Sequence, residues 1–295
     1  MRIALITPFG NLHDAPDTGY YMVLAQHVLS NSGYAAFYSK RGRQLLYQST
    51  KCLYAPGEQF TILDNGAAEG ETLTWYDLCT TIRMIEPDVV ISPDDLNSSS
   101  NTLMLTRDFI CSDAFKEVQD ILGHKVPYMV VPHGNTWREW EGNLDDLMAL
   151  QPQPSMIGVA RKHTLLDSHG ALYGRAGLVN YANSYYPNTP VHLLGLASTP
   201  LELRAIMNVH DGADILGVDT ALPWVAGSHG MLFDNYYGIL AKPDYWHSDE
   251  RVPLRDYSLT TALSNCMWML REFGGFSYER LREMFGLEYF SQTNL

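Results

Sequence analysis

Apolar residues in this chain come in short runs that stop abruptly at a polar residue or a glycine. Six such runs stand out: Thr61-Ile62-Leu63-Asp64, Val89-Val90-Ile91-Ser92-Pro93-Asp94, Tyr128-Met129-Val130-Val131-Pro132-His133, Met156-Ile157-Gly158-Val159-Ala160-Arg161, Val191-His192-Leu193-Leu194-Gly195 and Ile215-Leu216-Gly217-Val218-Asp219. Runs this short, rich in β-branched residues and bounded by turn formers, predict buried strands. Adding residues 2-6 and 35-38 gives strands at 2-6, 35-38, 60-63, 88-91, 128-131, 155-160, 191-194 and 214-218. Helical spacing of apolar residues predicts helices at 20-29, 73-85, 102-122, 138-150, 171-182 and 200-210 between them, then 259-273 and 278-285. No clean helix is predicted for 39-59. Strands alternating with helices imply a parallel sheet, closed or open, and eight strands favour closure into an α/β barrel. In such barrels chemistry gathers where the strands end, at the carboxyl-terminal face. Asp64, Asp94, His133 and Asp219 all lie at such ends.

Each of these residues also has a plainer reading. Asp64-Asn65-Gly66 has the composition of a turn, and Asp94 or Asp95 would cap a following helix. His133 sits between Pro132 and Gly134, which shape an exposed turn. Gly158, inside a strand, suggests close approach of a ligand to the backbone. What makes them a candidate site is their recurrence at successive strand ends, since two separated carboxylates suit displacement at an anomeric carbon.

Composition narrows the possibilities. The chain has 295 residues, 46% of them hydrophobic, and no linker or repeat divides it, so residues 1-295 are expected to form one domain. Its first ten residues hold too short an apolar run for a signal peptide, and no stretch reaches membrane-spanning length. A cytoplasmic protein without membrane contact is the expectation. Cys52, Cys79, Cys111 and Cys266 are scattered, without the clustering of a metal site or disulfide framework. HxH, HExxH and glycine-rich phosphate loops are likewise missing, so neither metal nor cofactor is expected. A net charge of −13 weighs against a nucleic-acid partner without excluding one. Lys40, Arg41 and Arg43, and Arg161, Lys162 and His163, are local basic clusters that could meet a phosphate backbone.

The order of these motifs resembles the queuine/archaeosine tRNA-guanine transglycosylase superfamily, and within it the DpdA-type 7-deazaguanine DNA transglycosylases of phage and bacteria. The resemblance covers about residues 60 to 223, with a weaker echo at Leu263-Asn265. Asp64-Asn65-Gly66 resembles the family's Asp-Ser-Gly turn, whose aspartate is a general base. Asp94 matches the aspartate that holds the guanine edge. His133-Gly134 stands where the family has Gln-Gly, and Ile157-Gly158-Val159 where it has Gly-Gly-Leu. Leu193-Leu194-Gly195 resembles its Leu-Met-Gly strand. Asp219-Thr220-Ala221-Leu222-Pro223 matches the Asp-x-x-Leu-Pro core that carries the nucleophile.

The resemblance implies a (β/α)8 TIM barrel with a helical carboxyl-terminal extension. It implies Asp219 and Asp64 as catalytic residues, and Asn65, Asp94, His133, Gly134, Gly158 and Gly195 as substrate-binding ones. The zinc-binding CxCxxC…His of the tRNA enzymes has no counterpart, and Trp224 replaces an arginine. With that RNA-associated metal site lost, the implied partners are guanine-containing DNA and a free 7-deazaguanine such as 7-cyano-7-deazaguanine (preQ0). Three alternatives stand beside this: a tRNA enzyme with a degenerate metal site, a non-catalytic deazaguanine-binding subunit, and a glycoside hydrolase with a tryptophan-lined groove. Oligomeric state is left open, a homodimer included.

Overall fold

Eight short strands run parallel, each hydrogen-bonded to the next, in the order β1-β8-β7-β6-β5-β4-β3-β2. They are β1 (Arg2–Leu5), β2 (Tyr20–Leu24), β3 (Phe60–Asp64), β4 (Val89–Ile91), β5 (Tyr128–Val130), β6 (Met156–Ala160), β7 (Val191–Leu194) and β8 (Ile215–Thr220). Because β1 and β2 also lie side by side, the sheet curls into a nearly closed barrel. The computed structural model describes residues 1–15, 18–43, 59–70, 73–161, 174–196, 200–209, 215–233, 256–277 and 281.

Helices occupy the connections, in the alternation expected of a (β/α)8 barrel: α1 (Ala25–Ser30) and α2 (Ser32–Tyr38), α3 (Trp75–Ile85), α4 (Ser99–Cys111) and α5 (Asp113–Leu122), α6 (Trp137–Met148), α7 (Gly174–Tyr185), and α8 (Leu201–Val209). After β8 come α9 (Leu222–Ser228) and the carboxyl-terminal α10 (Asp256–Glu272). Local chemistry explains the boundaries. Thr74 and Asp77 exchange side-chain and backbone bonds as a capping box at the start of α3. Ser112 breaks the single helix expected over 102-122: its backbone is extended, and its hydroxyl accepts the Phe115 N–H to start α5. Of the expected helix at 278-285, all but Leu281 lies outside the described residues.

The expected second strand was misplaced. Residues 35-38 belong to helix α2, which Asn31 opens by accepting the Tyr34 N–H at 2.9 Å. Strand β2 is Tyr20–Leu24, buried throughout, and occupies the first half of the stretch expected to be helical. A strand with both faces covered loses the alternation that would mark it as one.

Alternate residues separate two apolar layers. Ala4, Tyr20, Met22, Ile62, Val89, Ile91, Met129, Val131, Met156 and Ala160 fill the barrel interior. Val23, Leu63, Val90, Val130, Ile157, Val159, Leu193 and Val218 face outward, into the larger cluster with the helices.

Within the amino-terminal basic cluster Arg43 serves the fold, while Lys40 and Arg41 stay exposed. Arg43 is buried, donating to the carbonyls of Tyr38, Ile85 and Glu86, and Lys40 pairs with Glu86 at 2.8 Å. The Arg43 bonds satisfy carbonyls that the ends of α2 and α3 leave open. Burial lowers the Arg43 basicity, while Asp88, foremost among nearby groups, pushes back. Lys162 and His163 lie outside the described residues. Among the described residues no helix is long and apolar enough to cross a membrane.

Candidate active site

The carboxyl-terminal end of β3 begins the site. Asp64 pairs across from Leu24 in the β2–β3 ladder and shares the interior-facing parity of Phe60 and Ile62. Its Oδ1 accepts the Gly66 N–H at 3.0 Å, and Gly66 takes φ 78°, a conformation that favours glycine. The turn reading therefore holds at Asp64, on a side chain whose strand parity faces the barrel interior. Asn65 reaches sideways instead. Its Nδ2 donates to the Ser92 carbonyl and to Asp94 Oδ1, both at 2.7 Å, and its Oδ1 accepts the Ala67 N–H.

Asp94 is therefore held from two sides, since its Oδ2 meets His133 Nε2 at 2.5 Å. A carboxylate only accepts, so Nε2 is the donor. The His133 side chain is 1% exposed and that of Asp94 5%. Behind them the His133 N–H donates to Asn143 Oδ1 on α6, and Asn143 Nδ2 donates to the Ser99 carbonyl on α4. A polar network thus ties the ends of β3, β4 and β5 together. His133 is buried rather than in the exposed turn its neighbours suggested, and its Nε2 is engaged by Asp94.

The two glycines of this region are explained by packing. A Cβ on Gly134 would lie 2.5 Å from the Trp140 nitrogen, because α6 crosses close over it. One on Gly158 would meet Leu194, Met129 and Val131 side chains at 2.9 to 3.1 Å. Apolar side chains fill the space beside Gly158, so packing alone accounts for the missing side chain there.

A second group forms around β7 and β8. Ladder pairing shifts by one residue at Val191/His192 against β8, where Ile215 faces Val191 but Gly217 faces His192. Ile215 and Val218 pack outward, whereas Leu216 packs against the interior cluster. The extra residue resets the alternation. Asp219 therefore pairs with the interior-facing Ala4 of β1 and turns inward. Its Oδ1 accepts the Gly195 N–H at 2.9 Å and lies 3.2 Å from His192 Nε2. No hydrogen bond reaches Oδ2 among the described residues, and the side chain is 14% exposed. Gly195 has φ 67°, which orients its N–H toward the carboxylate.

Besides His192, three contributors were not singled out from the sequence as site residues. Tyr20 on β2 places its hydroxyl 2.7 Å from His192 Nδ1, and both side chains are fully buried. Gly217 makes room for that tyrosine: a Cβ there would fall 2.4 Å from Tyr20 Cε1. Gly217→Ala should accordingly cost about 1–3 kcal/mol in denaturant unfolding, the usual range for overpacking; an unchanged midpoint would count against this packing. Arg175 of α7 is the third. It donates to the carbonyls of Val159, Leu194 and Gly195 and pairs with Glu202 at 3.4 Å. Burial lowers its basicity, and the charges of Glu202 and Asp219 oppose that.

Beyond the barrel wall, Asn265 of α10 accepts the Phe233 N–H and donates to the Pro223 and Met231 carbonyls. It pins the segment that follows Asp219. Trp140 and Trp224 are fully buried and Trp137 packs against Gly177, so these three do not line an open sugar groove. Of the other two tryptophans that a sugar groove would need, Trp75 is exposed at the start of α3 and Trp246 is outside the described residues. Cys79 and Cys266 are buried and Cys111 is exposed, on three separate helices, and burial pushes the Cys79 thiol up to about 11. Among the described residues no group of three or more His, Cys, Asp or Glu is arranged to hold a metal ion. The family's zinc has no matching donor set there. No family model matches this chain, and no curated protein matches it closely enough to serve as a relative.

Proposed function

We propose that the chain is a base-exchanging glycosyltransferase that replaces guanine in DNA with a 7-deazaguanine, through a glycosyl ester on Asp219. The observation that carries this reading is the setting of Asp219: inward-facing at the end of a barrel strand, gripped among the described residues through one oxygen only, and partly open. A carboxylate held this way is oriented for attack at a sugar carbon. Asp64, on the interior side of β3 at the same end of the barrel, supplies the second carboxylate that such chemistry needs.

The steps follow from the chemistry. A guanine is turned out of its stack into the barrel mouth. One Asp219 oxygen attacks C1′, the bond from C1′ to the base nitrogen breaks, and guanine leaves. The free deazaguanine then enters, Asp64 takes the proton from its ring nitrogen, and that nitrogen displaces Asp219. Two inversions give net retention. Asp94, fixed by Asn65 and His133, accepts hydrogen bonds from the base edge. His133 therefore acts through Asp94, as a positioning residue. The cost of a buried, doubly held carboxylate is offset when a base with matching donors arrives.

Labelled 7-cyano-7-deazaguanine offered separately with guanine-containing DNA and with tRNA tests the reading. Incorporation into DNA is the expected result. Incorporation into tRNA alone would replace the polymer and keep the chemistry; incorporation into neither would reject base exchange for this ligand.

A further inference from the structure

Tyr20, His192 and Asp219 form a hydrogen-bonded line through the barrel interior, joining β2, β7 and β8. Its direction is fixed by elementary chemistry. The Asp219 carboxylate can only accept, so His192 Nε2 must carry a hydrogen. In a neutral imidazole Nδ1 is then a lone-pair acceptor, and the Tyr20 hydroxyl, 2.7 Å away, is its donor. Tyr20 itself is held by stacking on Phe60 and by the missing side chain of Gly217. Both donors to Asp219, the Gly195 N–H and His192 Nε2, end on the same oxygen, Oδ1.

We infer that Tyr20 and His192 are positioning residues that assign the two oxygens of Asp219 different tasks: Oδ1 is held, and Oδ2 is the atom that attacks. The inference rests on the reading of Asp219 as nucleophile. When Oδ2 bonds to C1′, the bond between C1′ and the guanine nitrogen breaks, and its electron pair leaves with the base. Oδ1 becomes the carbonyl oxygen of the ester and keeps both of its donors. In the second half the incoming nitrogen attacks C1′ and loses its proton to Asp64. The C1′–Oδ2 bond breaks, its pair returns to Asp219, and negative charge is again shared with Oδ1. Donors already aimed at the oxygen where charge develops favour that departure without any rearrangement.

The dyad therefore assists ester breakdown more than ester formation, because donors that stabilise a carboxylate make it a better leaving group and a weaker nucleophile. Tyr20 contributes by excluding the other tautomer. Without its hydrogen bond the imidazole is free to place a proton on Nδ1 and turn an unprotonated Nε2 toward the carboxylate, which repels it.

Two measurements decide the point. The first needs no substrate: nitrogen-15 NMR of the imidazoles, with His192 assigned by its loss in His192→Gln. Wild type should show a neutral ring protonated at Nε2 and bare at Nδ1, and Tyr20→Phe should shift a measurable fraction to the Nδ1–H form. A wild-type ring protonated at Nδ1 alone, or no change in Tyr20→Phe, overturns the inference whatever the enzyme catalyses. The second is single-turnover kinetics with DNA and 7-cyano-7-deazaguanine. His192→Phe should slow ester breakdown by about 10²-fold, the scale for loss of one such donor, without a matching loss in formation, so that adduct accumulates. His192→Gln, whose amide can still donate, should recover much of the breakdown rate. Equal slowing of both halves without that recovery overturns the inference. A wild type that forms no adduct at all defeats the transglycosylase reading itself, while the NMR result still stands or falls alone.

Discussion

Asp219→Asn is expected to leave a folded protein that has lost base exchange by about 10⁴-fold or more, the scale seen when a covalent nucleophile is removed. The substitution is close to isosteric. An asparagine can keep its carbonyl oxygen in the place of Oδ1, where it still accepts the Gly195 N–H and His192 Nε2. Only Oδ2, which takes no hydrogen bond among the described residues, is exchanged for an amide nitrogen that cannot attack. Stability should consequently change little, and the thermal midpoint provides that control. The decisive readout is the denaturation-stable adduct between protein and guanine-containing DNA, present in wild type and missing from the variant. An adduct that survives Asp219→Asn would move the nucleophile elsewhere, Asp64 being the first residue to test.

Much of this arrangement could be read from the chain, for identifiable physical reasons. Strands β3 to β8 announce themselves because each is a buried run ending at a polar residue or glycine, as strands of a parallel barrel covered on both faces commonly are. Asp64, Asp94, His133 and Asp219 follow from it, since they occupy those ends. Strand β2 escaped because Tyr20–Leu24 runs straight into α1 without an intervening turn residue, and Leu24 at the junction makes no side-chain cap. The one apolar stretch therefore fits helical spacing throughout. Its loss also hid Tyr20, whose partner His192 is 172 residues away. No local rule couples positions that far apart. His192 itself lies between Val191 and Leu193, where a buried histidine reads as an interruption of the strand. The shift in β8 that turns Asp219 inward left a single trace, Gly217 in an otherwise apolar run. The basic cluster at 40-43 divides: Lys40 and Arg41 stay exposed, whereas the Arg43 charge is used internally, on the ends of two helices.

Arg175→Met should lower the unfolding free energy by about 3–5 kcal/mol, the range for breaking a buried charge pair from one side. A single arginine on an amphipathic helix is ordinarily expected to face solvent, yet this one is 2% exposed. The reason lies in the strand ends. The carbonyls of Val159, Leu194 and Gly195 emerge where β6 and β7 finish, and the Arg175 guanidinium donates to all three. Methionine fills a similar volume but donates nothing, leaving those carbonyls and Glu202 without that partner in the interior. Arg175→Lys should recover only part of the loss, because a point charge cannot reproduce the planar fork. Activity should fall in both variants even at temperatures where they remain folded. The Gly195 carbonyl that Arg175 anchors belongs to the residue whose N–H orients Asp219, so freeing one end of that turn loosens the other. Urea unfolding of the three proteins checks the stability order. A loss below about 1 kcal/mol in Arg175→Met, the scale of a single ordinary hydrogen bond, would mean that this guanidinium does not brace the end of the barrel.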